Sequence, residues 1–482
     1  MIYVNWILLL LYVVLVLGAM VAVLLDNRQP EKTMAWLLVL VFVPFGGIIL
    51  YIFFGRNTRK ERIISRQSLD LLTKRSMLGF VEQPALHLPP ERETLIRQLA
   101  NEGRALPFKN NRVDIFTDGY AFYLSLFEAI GRARQHIHLA VYIFADDALG
   151  NLLADMLIDK AREGVEVRVV YDDVGCWRVR RRFFERMRRA GVMVCPFIPV
   201  HFPAFTGKVN YRNHRKICVV DGKTGFIGGM NVALRYVKGV RKGLPALRSR
   251  GKWRDTHLRI EGGSVYGIQQ AFLIDWYFVD RTLITDRIYY PPSDTAISND
   301  CLAQIVTSNP TDQWPQIMQG YVRILLEARR YVYIQTPYFL PTEPVWFAMR
   351  TAVLAGVDVK MILPRRADSI LVDWAGRSYI GEAIAAGVKV YFYTDGFIHS
   401  KMMVCDDIIS TCGSTNIDFR SFENNFEANA FFVDASLARR MREMFERDLA
   451  KCIPASDVHD YAHRPFFIRL WESVVRLFSP LL

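Results

Sequence analysis

None of the seven cysteines (176, 195, 218, 301, 405, 412 and 452) stands in a CxxC spacing, and their number is odd. That scatter supplies neither a disulfide framework nor a four-ligand zinc site, and it suits a reducing compartment. No Asp/Glu/His grouping reads as a metal site either; His136-x-His138 is expected to lie in a buried strand. Acidic charge is in deficit, with 61 Lys+Arg against 48 Asp+Glu and a net charge of +13. An anionic partner is implied, either nucleic acid or an acidic membrane surface. The chain's opening lacks a basic leader and a small-residue cleavage site, which argues against a cleaved signal peptide.

Long apolar runs are present. Trp6 to Leu25 and Met34 to Phe54 are each long enough, at about 1.5 Å per residue, to cross a hydrocarbon core of about 30 Å. The connector at 26–32 is charge-balanced, whereas Arg56, Arg59, Lys60, Arg62 and Arg66 follow the second run. The positive-inside rule then predicts a membrane hairpin over 1–60 with both ends in the cytoplasm. Pro44 and Gly46-Gly47 in the second run favour a kink or close helix packing. A charged, Pro-containing helical linker is expected over 61–110.

One short pattern occurs twice. His214, Lys216 and Asp221 recur as His399, Lys401 and Asp406, each set followed by Gly-x-x-Asn at Gly228/Asn231 and Gly413/Asn416. Two matches with identical downstream offsets mark an internal duplication. Upstream of them both halves read alike: strands 137–144 and 332–339, helices 148–163 and 343–355, strands 166–171 and 358–363, helices 180–190 and 376–386, strands 192–196 and 388–393. This alternation predicts an α/β fold with mostly parallel sheets flanked by helices, in halves spanning 111–290 and 291–482. Gly164, Gly191, Gly356 and Gly387 stand where helix C-caps are expected.

On a strand, His214 and Lys216 share a face, while an odd offset turns Asp221 the other way; the same holds for His399, Lys401 and Asp406. The two aspartates of this catalytic motif are therefore expected to pin strand ends. An imidazole titrates near neutrality, so one can attack phosphorus while its partner protonates the departing alkoxide. Lys216 and Lys401 would bind phosphoryl oxygens, and the amides of Asn231 and Asn416 would donate to developing charge. Two such histidines need no metal and no cofactor.

With these residues the chain resembles the phospholipase D superfamily, whose signature is HxK(x)4D followed by a Gly-Ser-x-Asn-like element, and within it the two-span bacterial cardiolipin synthases. Supporting strings are 34–37 through 50–55, Trp253-Arg254-Asp255-Thr256-His257, 335–339, 396–401 and 413–421. The resemblance implies a bilobal fold whose motifs meet at a pseudo-twofold active site, and a ping-pong transfer through a phosphohistidine, with His214 as nucleophile and His399 as general acid/base. It further implies phosphatidylglycerol as donor and acceptor, glycerol as leaving group, anionic lipid rather than nucleic acid as partner, and a bacterial inner (cytoplasmic) membrane location with the catalytic part on the cytoplasmic side. It places acidic residues, here Asp255 and Glu427, to orient the histidine of the opposite half. The first copy has Gly229 where the second has Ser414, so a hydroxyl bond to phosphate is expected on one side only. A phospholipase-type hydrolase and a membrane-bound nuclease of the same superfamily are the alternatives, and a scaffold without catalysis is disfavoured by the intact His/Lys set.

Three peripheral segments remain: an arginine-rich helix at 178–189, an apolar stretch at 201–205, and an amphipathic C-terminal segment from Phe466 to Leu482. The first and last are candidates for lipid contact, and the second for an apolar rim.

Overall fold

The computed structural model describes residues 2–25, 30–51, 68, 71–74, 93–103, 105–200, 211–239, 251–292, 296–458 and 464–481. Two compact units emerge. The smaller comprises residues 1–63 with the short segments 200–211 and 310–313, and the larger holds the rest.

In the smaller unit Ile2–Leu25 is one helix without an Asp, Glu, Lys, Arg or His. The second apolar run is two helices, Pro30–Phe42 and Pro44–Leu50. Proline disfavours the helical region for the residue before it, and Val43 accordingly sits at φ −133°, ψ 62°. The expected single second span is therefore broken at Pro44. Val23, Leu40 and Tyr51 are buried together, with Trp36 edge-on to Tyr51 at 5.5 Å. Among the described residues no helix is long and apolar enough to cross a membrane; the side chains at 2, 4, 5, 8 and 9 of the first helix lie outside the described set.

Among the described residues the larger unit holds two large sheets, each built chiefly from one copy of the repeat, and two two-stranded pairings. In the first, strands run in the order Asn111–Phe116, His257–Gly262, Thr224–Gly228, Ile217–Val220, His136–Val141, Glu166–Asp172, Met193–Phe197. Only the last three are parallel. They are the strands joined through helices Ala148–Arg162 and Arg181–Arg189. The second sheet repeats this: Tyr331–Gln335, Asp358–Pro364 and Lys389–Tyr393 are parallel, and the strands to either side are antiparallel. Both sheets are thus mixed, which corrects the expectation of mostly parallel sheets. The reason is local. Each motif strand ends in a tight turn with two successive left-handed residues, Asp221/Gly222 and Asp406/Asp407, and a short turn can only return the chain antiparallel.

Helix ends follow the duplication as well: Gly164 and Gly356 close equivalent helices at φ +89° and +86°. Each half has its own core, around Leu139, Leu153, Val169 and Phe226 in the first and Ile334, Met349, Met361 and Met403 in the second. Helix Glu93–Gly103, within the stretch expected to be linker, adds Leu95, Ile96 and Leu99 to the second core. It is tied down by the Gln304 amide, which donates to the carbonyls of Ile96 and Ala105 at 3.0 and 2.7 Å.

Two short parallel pairings join the halves. Arg212–Asn213 pairs with Asn425–Phe426, and Trp253–Arg254 pairs with Phe397–Ile398. In each, the residue after one strand is a motif histidine, and the residue after the other is an acid.

Candidate active site

The pairings carry one residue further than the strands. The His214 N–H donates to the Phe426 carbonyl at 2.9 Å and the His399 N–H to the Arg254 carbonyl at 2.7 Å. Glu427 and Asp255 follow next, so backbone register alone delivers each acid to the imidazole of the other half. His214 Nδ1 lies 2.9 and 3.1 Å from the two Glu427 carboxylate oxygens. His399 Nδ1 lies 2.7 Å from Asp255 Oδ2. An ionised carboxylate only accepts, so the Nδ1 facing it donates and the Nε2 lone pair is left for chemistry; at His399 the Lys401 Nζ also lies 2.8 Å from Nδ1 and 3.4 Å from Nε2.

Charge in the cleft is balanced. Both acids are fully buried and both motif lysines nearly so. Burial alone would raise the two carboxyls, but His214 and Lys216 beside Glu427, and Lys401 and His399 beside Asp255, hold both below their usual range. Burial lowers both lysines, against the pull of the same acids. It also pushes both histidines down to about 4, with Lys401 among the groups that depress each of them. The Lys401 charge thus acts on His214 and also lowers Lys216, so the two motifs share one electrostatic site. Lys216 Nζ donates to the His214 carbonyl at 2.6 Å, and Lys401 Nζ to the His399 carbonyl. An anionic diester entering between them would favour the charged form of the lysines and raise both imidazoles.

Neither motif aspartate joins this cluster. Asp221 accepts the backbone N–H groups of Arg134, Gln135 and His136 at 2.9, 2.8 and 2.9 Å, and Asp406 those of Arg329, Arg330 and Tyr331 at 2.8, 2.9 and 2.9 Å. Both clamp the start of the neighbouring strand, the strand-end role expected of them although they stand in the catalytic motif.

Each asparagine carboxamide bonds within its own half. Asn231 Oδ1 accepts from Ile143 N at 3.0 Å and its Nδ2 donates to the Tyr236 hydroxyl at 2.8 Å. Asn416 Nδ2 donates to Asp418 at 3.1 Å, while its buried Oδ1 has no partner. The Ser414 hydroxyl donates to Glu427 rather than standing open for phosphate. Gly229 is explained by the same geometry: a Cβ there would meet Asp255 Oδ1 at 2.1 Å. The longer Glu427 leaves room for a serine, and the shorter Asp255 fills that space itself.

Several residues of the site went unassigned from sequence. Tyr142 stands edge-on to His214 at 5.1 Å, and Trp253 packs against His399 at 5.4 Å. Arg215 is ion-paired with Asp275, which also accepts from Asn213 Nδ2 at 2.9 Å. Arg254 binds both Asp448 oxygens, the closest contact at 2.6 Å. Asp275 and Asp448 follow Asp255 and Glu427 at nearly equal offsets, a repeat signal that could have found them. Residues 201–205 lie outside the described set. In Arg181–Arg189 the apolar Phe183, Phe184 and Met187 are buried in the first core.

Comparison with known proteins agrees with this duplication. A family described as "Cardiolipin synthase, PLD-like domain" matches residues 126–241 and 321–449, and one described as "Phospholipase_D-nuclease N-terminal" matches residues 6–56. A cardiolipin synthase of Oceanobacillus iheyensis is 40% identical over 95% of each chain. The major cardiolipin synthase ClsA of Bacillus subtilis is 39% identical over 98% of each. Among solved structures, a phosphatidylserine synthase of Haemophilus influenzae superposes with a TM-score of 0.62 at 14% identity, covering 81% of this chain and all of that one. That last likeness concerns the fold alone.

Proposed function

Since the chain belongs to the family of PLD-like cardiolipin synthases, we propose that its cleft moves a phosphatidyl group from one phosphatidylglycerol to the glycerol head group of a second, yielding cardiolipin and free glycerol. The observation that carries this reading is the reciprocal pairing of His214 with Glu427 and His399 with Asp255.

In the first step His214 Nε2 attacks phosphorus, a P–N bond forms, and the P–O bond to glycerol breaks. His399, charged once the diester anion has raised its basicity, gives its proton to the leaving glycerol oxygen. In the second step the now neutral His399 takes the proton of the incoming head-group hydroxyl. That oxygen displaces His214 and restores the diester. Lys216 and Lys401 neutralise the non-bridging oxygens throughout, while Glu427 and Asp255 hold the Nδ1 protons in place. One diester is exchanged for another, so no nucleotide is consumed.

The family works on membrane lipids, and the finer location proposed is the cytoplasmic face of a bacterial inner membrane, with residues 1–60 as the anchor. The charge asymmetry around the two apolar runs supports that orientation. Purified protein given labelled phosphatidylglycerol should release glycerol and cardiolipin in equal amounts. Phosphatidic acid as the main product would instead make it a hydrolase, and degradation of single-stranded DNA without cardiolipin would make it a nuclease.

A further inference from the structure

A helix lying on a water-soluble surface turns its apolar side inward and its charges outward. The C-terminal helix Phe466–Arg476 instead leaves most of its apolar side chains outside. Its buried residues are Glu472 and Val475, whereas Phe466, Phe467 and Leu470 are 70%, 79% and 50% exposed, and Leu477 just beyond is 78% exposed. Glu472 is inside because Arg464 meets it at 2.7 Å. We propose that this helix is an in-plane membrane anchor that seats the mouth of the active site on the bilayer.

Its attachment fixes its place. The helix docks on Ile370–Ala385: Trp471 packs edge-on to Trp374 at 5.8 Å, while Arg476 lies 4.0 Å over the Tyr379 ring and pairs with Glu382. Arg464, just before the helix, donates to the Arg377 carbonyl at 3.1 Å, so the contact falls on the middle of Ile370–Ala385. At the start of that helix Ile370 and Leu371 are exposed as well. That start adjoins the catalytic cleft. Asp368 accepts the Tyr338 hydroxyl at 2.6 Å, and the Tyr338 ring stands edge-on to His399 at 6.3 Å.

The occupant is lipid because the face is mixed in the way an interface demands. Phenylalanine and leucine enter the acyl boundary, Trp471 sits at head-group level, and the exposed Arg469 meets phosphate. The equivalent loop of the first half carries the exposed Trp177 beside Arg178, so both lips of the cleft present an aromatic or aliphatic side chain with arginine. The choice of phosphatidylglycerol as the probe lipid rests on the function proposed above; the anchoring does not.

Photo-reactive p-benzoylphenylalanine placed at Phe467, at Leu477 and, as control, at the exposed Leu354 of the full chain tests this in phosphatidylglycerol vesicles. Lipid adducts at the first two positions should exceed those at Leu354 by about tenfold. Equal yields, or adducts joining two protein chains, would overturn the anchor. Phe467→Ser combined with Leu477→Ser should raise KM for vesicle substrate about tenfold and leave kcat on dispersed short-chain phosphatidylglycerol unchanged; an unchanged KM would count against it. Adducts without cardiolipin formation would uphold the anchor and sink the function.

Discussion

His214 and Glu427 are 213 residues apart in the chain and 2.9 Å apart in space, joined across the two halves of the duplication. His399 and Asp255 repeat the relationship in the opposite sense at 2.7 Å. Neither half therefore holds a complete histidine–carboxylate pair.

His214→Ala and His399→Ala should each lower kcat by about a thousandfold or more with an unchanged melting temperature, because members of one catalytic unit fail together. The double variant should be scarcely worse than either single one. Steady-state rates and a thermal melt on the same preparations check this, and a single variant with normal turnover removes that histidine from the mechanism.

Glu427→Gln and Asp255→Asn should reduce kcat more than they raise KM, since each amide can hold Nδ1 in the wrong tautomer without touching substrate. A loss confined to KM would show that these acids contact lipid instead.

Gly229→Ser should cost about a hundredfold in kcat, because its Cβ would press on Asp255 Oδ1 at 2.1 Å and displace the carboxylate from His399. Ser414→Ala leaves the backbone in place and removes one bond to Glu427, a loss of about tenfold or less. The reverse order would contradict the reading of the Gly/Ser difference.

Asp221→Asn should act on stability. It replaces a carboxylate that receives three backbone N–H groups with an amide that can accept fewer, at about 1–3 kcal/mol. A lower melting temperature with near-normal kcat per folded molecule is expected; a large rate loss at unchanged melting would return Asp221 to the catalytic set.

Acid should destabilise the fold. Burial lowers His214 and His399 to about 4, and His138 and His257 to about 3, against 6.5 for the free side chain. Below about pH 6.5 the unfolded chain takes up protons that the folded one refuses, so this stability is complete above 6.5 and is lost as pH falls through 4 toward 3. Asp172, raised to about 6 chiefly by burial, works in the opposite sense, and its contribution fades as pH rises through 6. Burial raises Asp275, Asp418 and Glu472 in the same sense as Asp172, whereas His136 is lowered with the other four histidines and Glu166, Asp255, Asp358 and Glu427 are held below the usual carboxylate range by their partners, so that they too lose stability in acid. The larger set predicts a melting temperature that drops steadily from pH 7 to pH 4, and a flat profile would be the contrary result.

The odd offset in the motif made the turning-away of Asp221 and Asp406 readable, because side-chain alternation is a property of any strand. The acid partners came from family resemblance, since nothing in local spacing ties residue 255 to residue 399. The sheet direction was misread because the helix–strand alternation ends before the motif. The short strands Ile217–Val220 and Thr224–Gly228 that follow return through a turn without a helix. A carboxamide that braces a loop and one that faces phosphate look identical in sequence, so spacing alone does not separate the two roles for Asn231 and Asn416. Arg215 against Ser400, and Phe426 against Arg254, look like unrelated differences between the copies. In the fold they compensate. Arg215 lies 5.7 Å over the Phe426 ring and pairs with Asp275, while Ser400 bonds Thr256 at 2.7 Å beside Arg254, which pairs with Asp448. Each side thus receives one buried guanidinium, and the first half supplies both.

The most direct test is to quench the full-length protein within its first turnover on phosphatidylglycerol labelled at phosphorus, then map the label by mass spectrometry. The account predicts one phosphatidylated histidine per chain, at His214, formed together with one equivalent of glycerol. Glycerol release with no covalent label, or label on a residue outside the two motifs, would contradict it.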